Sequence, residues 1–187
     1  DGQNVWLDKH GNETKKFSEE DMVMTGKTSI APWSGGLSTT VAWKGLQLDV
    51  QFSGMFDRYM FNNYRWFTEN PTFASSNNQT TEMFRMWQKP GDITDIAAAN
   101  AEYHIDDDRL IEDASFVRLK FLQLSYSLPK KWMDATGFVK GAKVYFVGRN
   151  LLTFTKYSGY DPEVDSSVNL GNYPNTRQYS IGAQFTF

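Results

Sequence analysis

Tyr179, Ile181, Ala183, Phe185 and Phe187 occupy every second position of the closing stretch RQYSIGAQFTF. A strand points successive side chains to opposite faces, so these five share one face while Gln178, Ser180, Gly182, Gln184 and Thr186 share the other. Chain ends usually fray, and a terminal strand carrying five apolar groups in phase predicts a surface that covers them. Two architectures supply one: the edge of a soluble β-sandwich, and the wall of a membrane barrel.

The remaining strands decide between these. Leu37, Thr39, Val41 and Trp43 alternate with Gly36, Ser38, Thr40 and Ala42 before Lys44-Gly45 turns the chain. On the return, Leu46, Leu48, Val50, Phe52, Gly54 and Phe56 face one way and Gln47, Asp49, Gln51, Ser53 and Asp57 the other, a length that spans a bilayer when tilted. A third strand, FVRLKFLQLSYSLP, holds Leu122, Leu124, Tyr126 and Leu128 in phase and stops at Pro129. KKWMDATGFVKG reads as a short helical turn, and AKVYFVGRNLLTFT as a fourth strand with the weakest alternation of the five. Between strands two and three, nearly sixty residues lack strand periodicity; between four and five, about twenty are rich in Gly, Pro, Asp and Asn. Short and long connections therefore alternate strictly. Outer-membrane barrels have short periplasmic turns and long extracellular loops, whereas a sandwich has no reason to sort its loops.

Composition agrees. Aromatic residues make up 16% of the 187 residues, yet the mean hydropathy is −0.53. Lipid-facing residues alternating with lumen-facing ones, aromatic girdles and polar outer loops produce that mixture; a secreted carbohydrate-binding β-sandwich, the alternative reading, also produces it. No apolar run approaches the roughly 18 residues of a spanning helix, so insertion would be by strands. The first residues lack the pattern of a signal peptide, which points to its removal or to a fragment. With no cysteine, neither a disulfide scaffold nor a cysteine metal site is expected. A net charge of −3 without a basic stripe argues against nucleic acid.

Five stretches, in order, resemble the C-terminal end of SusC/RagA-type TonB-dependent transporters: MVMTGKTSIAPWSGGLSTTVAWKGLQL, RMWQKPGDITDI, IEDASFVRLKFLQLSYSLPKKWM, VYFVGRNLLTFTKYSGYDPEV and GNYPNTRQYSIGAQFTF. The resemblance covers most of the chain. It implies an all-β protein, an antiparallel transmembrane β-barrel of about 22 strands, of which residues 1–187 supply about the last five. The plug and earlier strands lie outside this chain, and Asp1 falls in an extracellular loop. It further implies import of glycans or peptides across the outer membrane of a Gram-negative bacterium, driven through the TonB complex. A SusD-like surface lipoprotein would cover the barrel, the C-terminus would lie in the periplasm, and no cofactor is needed. One departure is DITDIAAANAEY, where the family often carries a Pro-Arg pair after its Thr-Asp and this chain has Ala97, Ala98 and Ala99.

Candidate contacts to substrate or lid lie in the long loop: Tyr59, Tyr64, Arg65, Trp66, Phe67 and Trp87, with Arg58, Phe61 and Asn62 nearby. Rings with interspersed guanidinium groups suit stacking on sugars or gripping a peptide; the plainer reading is that they pack the loop on itself. Tyr179, Ile181, Phe185 and Phe187 resemble a barrel-assembly signal. Tyr157, Tyr160 and Tyr173 suit an aromatic belt. Asp8, His10, Asn12, Glu19, Glu20 and Asp21 sit in an acidic stretch whose glycine falls at the fourth position, not the sixth that an EF-hand requires, so a solvated loop is expected and no metal. Asp106, Asp107, Asp108, Glu112 and Asp113 offer carboxylates of the kind glycosidases pair, but precede a strand on the expected outer side, where charge runs are usually solvated. His10 and His104 are far apart, and no triad is evident. No catalytic role is expected.

Overall fold

The structure, a computed structural model, describes residues 1–164, 167–168 and 171–187. The chain forms two compact units, one of residues 30–58, 113–165 and 173–187, the other of residues 1–29, 59–112 and 166–172.

The first unit is a five-stranded antiparallel meander. Its strands are β1 (Trp33–Trp43), β2 (Leu46–Phe56), β3 (Phe116–Ser127), β4 (Gly141–Thr155) and β5 (Gln178–Thr186), each paired with its neighbour in sequence. All five expected strands are present. Lys44 (φ 46°) and Gly45 (φ 86°) both lie in the left-handed region, as a two-residue turn matched to the twist of its strands requires. A Cβ on Gly45 would lie 2.9 Å from the Ser127 carbonyl oxygen, so the turn also needs the room.

Register makes the two faces continuous. Leu48 and Val50 of β2 stand opposite Val41 and Thr39 of β1 on one side and Leu124 and Leu122 of β3 on the other. The register shifts around Lys120, so Leu119 pairs with Phe52 and Leu152 and stays on the apolar face. Phe146 and Val144 carry that face to Ile181 and Ala183 of β5. On the reverse face lie Gln51, Asp49, Arg118, Gln123, Lys143, Arg149, Ser180 and Gln184. There Tyr145 covers Gly182, whose added Cβ would meet the ring at 2.5 Å, a large ring filling the gap a strand glycine leaves. The apolar face is not a dry core. Leu37 is 67% exposed, Phe154 61% and Ile181 87%, and the edge strands β1 and β5 each pair on one side only.

The two short connections, Lys44-Gly45 and residues 128–140, meet at one end of the sheet; the two long ones leave from the other. Residues 128–140 contain the expected short helix, α2 (Lys130–Asp134); α1 (Asn63–Thr68) lies in the second unit.

That second unit organises most of the long loop. Met60, Ile96 and Leu110 are fully buried together with Asn62 and Asn70. Here short 3-10 segments accompany strands of only two or three residues, such as Trp6–Leu7 paired with Glu13–Thr14. Asn70 caps Pro71–Phe73 by accepting from Thr72 N, and Asp107 caps Asp108–Leu110 by accepting from Arg109 N. Of the alanines that depart from the family pattern, Ala98 is buried and its N–H donates to the Gly2 carbonyl at 2.7 Å, while Ala97 is half-buried and Ala99 exposed. Tyr103 donates its hydroxyl to the Ala97 carbonyl. A Cβ added at Gly2 would fall 2.9 Å from that of Ala98.

Candidate functional site

In α1, a spacing of three places Tyr64 and Phe67 outward, both exposed. Arg65 turns the other way, donating to Glu69 at 2.8 Å and to Glu112 at 2.9 Å. Burial disfavours its charge, but the hydrogen bonds and charges of Glu112 and Glu69 prevail and keep the guanidinium protonated. Arg65 is therefore engaged within its own unit. Trp66 and Phe67 both lean on Phe73, with ring centroids 5.8 and 5.2 Å apart. Trp87 is half-buried against Gly2, whose added Cβ would fall 2.5 Å from the Trp87 ring, and the backbone N–H of Trp87 donates to the Ile96 carbonyl. Tyr59 is half-buried beneath Lys27, with the ammonium 5.7 Å from the ring centre. The structure thus gathers Trp66 and Phe67 on Phe73 and leaves Tyr64 and Phe67 as the exposed rings among the six candidates.

The other charged groups hold structure. Asp8 accepts from the N–H groups of His10 and Asn12 and from the Asn12 amide, and these bonds hold its carboxyl below its ordinary value. The acidic stretch is a turn, and among the described residues no group of three or more His, Cys, Asp or Glu could hold a metal. Asp107 pairs with Arg109, Glu112 with Arg65, and Asp113 caps Ser115. His104 stacks on Phe17 at 3.7 Å and its Nε2 meets Glu102 at 2.7 Å. Tyr160 and Tyr173 are exposed as a belt requires; Tyr157 is buried instead.

A cluster not anticipated from sequence lies on the sheet's polar face. Arg118 is 3% exposed. It donates to Asp161 at 2.5 Å, to Glu163 at 2.6 Å and to the Thr153 hydroxyl at 2.9 Å, and Lys120 adds an ion pair to Glu163. Burial raises the Asp161 carboxyl, but Arg118 and the N–H groups of Asn175 and Glu163 outweigh it and hold it below its ordinary value. Arg58, also buried, donates to the carbonyls of Pro162 and Val164, both at 2.6 Å. Two arginines thus clamp the Tyr-Asp-Pro-Glu segment to the wall. The available signal was a buried-strand arginine and an Asp-Pro-Glu triplet in a loop, which sequence alone does not pair.

On the apolar face and at the end of β5, Tyr179, Ile181, Phe185 and Phe187 stand exposed, Phe187 lying parallel to Phe138 at 6.2 Å.

No family model matches the chain. Among curated proteins it is 27% identical to TonB-dependent receptor P3 of Formosa agariphila, over 100% of this chain and 19% of that protein. It is 23% identical to the TonB-dependent receptor SusC of Bacteroides thetaiotaomicron, over 99% of this chain and 18% of that protein. The solved RagAB peptide transporter matches with a TM-score of 0.90 at 35% identity, over 100% of this chain and 21% of that one. The chain spans about a fifth of the length of these relatives, which are named as receptors and transporters rather than enzymes. Its two-faced meander is a segment of antiparallel transmembrane β-barrel, and the chain belongs to the SusC/RagA family of TonB-dependent receptors.

Proposed function

We propose that residues 1–187 form the C-terminal part of the barrel of an outer-membrane importer of oligosaccharides or peptides, energised through TonB and closed by a SusD-like surface lipoprotein. The plug and the earlier strands belong to the rest of the same barrel. The apolar face, continuous in register across five strands and exposed, carries this reading: it suits lipid, while the opposite face suits a polar lumen. Both edge strands then pair with other strands of the barrel, because unpaired backbone groups are not tolerated in hydrocarbon. The turn end, and with it the C-terminus, lies in the periplasm; the long loops and Asp1 lie outside. RagAB is described as a peptide transporter, which makes peptides the first substrates to test. Uptake of labelled peptide and oligosaccharide pools by cells carrying the intact gene tests this, and uptake indifferent to deletion of TonB would overturn it.

Tyr64, Phe67, Trp66 and Trp87, together with Tyr59 and Arg65, act as the contact to substrate or lid. Trp66→Ala and Trp87→Ala are expected to lower uptake or lid association about tenfold, the scale of losing one aromatic anchor, with unchanged amounts of heat-modifiable barrel. Normal uptake and normal lid association in both variants would leave these rings as loop packing.

Tyr179, Ile181, Phe185 and Phe187 serve as the assembly signal. Deleting Phe187 from the full-length protein is expected to cut outer-membrane levels severalfold, measured by quantitative blotting of heat-modifiable protein; unchanged levels would remove the role.

A further inference from the structure

At the turn end of the sheet, the chain's charge balance reverses. The whole chain carries −3, yet Lys44, Lys130, Lys131 and Lys140 gather here with Asp134 as the one acidic side chain in residues 43–45 and 128–140. Topology brings them together: the Gly45 carbonyl accepts from Ser127 N, α2 begins three residues later, and Lys140 N donates to the Thr186 carbonyl. All four lysines are exposed, and no described ion pair engages them.

Exposed rings stand beside these charges. Trp43 is 68% exposed with the Lys44 ammonium 4.8 Å over its ring, and Trp132, next to Lys131 in α2, is 58% exposed. Phe138 and Phe187, stacked on each other, are 68% and 69% exposed. A water-facing basic surface has no use for four such rings, and a purely hydrophobic girdle has none for four lysines. Rings at headgroup depth with ammonium groups beside them match an anionic phospholipid, its phosphate held by lysines and its glycerol and acyl region by the aromatic groups.

We infer that Lys44, Lys130, Lys131 and Lys140, with Trp43 and Trp132, form a collar that binds the phosphate of anionic phospholipids of the phosphatidylglycerol type at the periplasmic leaflet. The collar rests on the barrel reading proposed above. It gives this rim a specific lipid partner rather than a generic belt, and it fixes the depth of the turn end in the membrane.

The test uses purified full-length protein in nanodiscs of equal parts phosphatidylglycerol and phosphatidylcholine, extracted into mild detergent, with retained lipid counted by native mass spectrometry. Wild type should retain phosphatidylglycerol over phosphatidylcholine by more than tenfold. Each Lys→Gln change should lower that ratio about fivefold, so K130Q/K131Q and K44Q/K140Q should each lower it about 25-fold, and the matching Lys→Arg pairs should preserve it. Equal retention of both lipids by wild type, or full preference in both Gln pairs, with the heat-modifiable barrel intact, overturns the collar alone. In a second set of nanodiscs that adds lipid A, preference for lipid A over phosphatidylglycerol places this rim at the outer leaflet and also overturns it. Absence of heat-modifiable mobility in the wild type counts against the barrel reading itself.

Discussion

Replacing Arg118 with methionine is expected to release the Tyr-Asp-Pro-Glu segment from the wall. The substitution leaves Asp161, 2% exposed, with its carboxylate facing an apolar side chain, and removing one partner of a buried pair costs about 3–5 kcal/mol. Cleavage of the β4–β5 connection by added protease, which tracks the open population when closing is fast, should rise at least about a hundredfold while barrel mobility stays unchanged. Lys120→Met removes a partly exposed partner of Glu163, and pairs of that kind contribute about 0–1 kcal/mol; cleavage should rise by less than about fivefold. The clamp should also respond to acid. Because the Asp161 carboxyl lies below its ordinary value of 3.8, its contribution is fully present above that value and is lost as pH falls through the lower folded value. Wild-type cleavage by an acid-active protease should climb there, and R118M should lose that dependence. A cleavage rate unaffected by R118M would show that the segment is held by something else.

The second large effect separates the two faces of β2. Val50→Arg places a guanidinium among Thr39 and Leu122 on the apolar face, and a charge on the lipid face near mid-membrane costs about 2–4 kcal/mol. Gln51→Arg, one residue on, places the same group opposite Ser38 and Phe121 at a cost of at most about 1 kcal/mol. Denaturant unfolding of the full-length barrel in lipid vesicles should show the first loss and not the second. Equal losses would mean that the two faces meet the same medium.

Much of this architecture is legible in the sequence because period two is a strong signal wherever a strand has one apolar face. β2 and β5 show it without interruption. β4 reads poorly for a physical reason: Asn150 adopts a left-handed conformation (φ 52°), the register shifts beside it, and Leu151 and Leu152 fall next to each other. Val147 then stands on the polar face opposite Gln123, which blurs the pattern further. The long loop has no period because its order comes from caps and buried polar groups, Asn62, Asn70 and Asp107, which periodicity does not register. Nor does sequence reveal which charges are committed. Arg65 has the composition of a substrate contact, yet it is bound to Glu69 and Glu112; Arg118 finds its partners 43 and 45 residues away. Conversely, Tyr64 and Phe67 follow from helical spacing once α1 is known.

In the barrel proposed above, the apolar face meets lipid and the polar face meets water. These residues contain no cysteine, so spin labels can be placed singly from Leu46 to Phe56 in full-length protein from which any cysteine elsewhere has been removed, reconstituted in vesicles. High collision rates with oxygen and low rates with a water-soluble nickel complex are expected at positions 46, 48, 50 and 52, and the reverse at 47, 49, 51 and 53. Labels at the even positions shielded from both reagents, as in the interior of a sandwich, would contradict it.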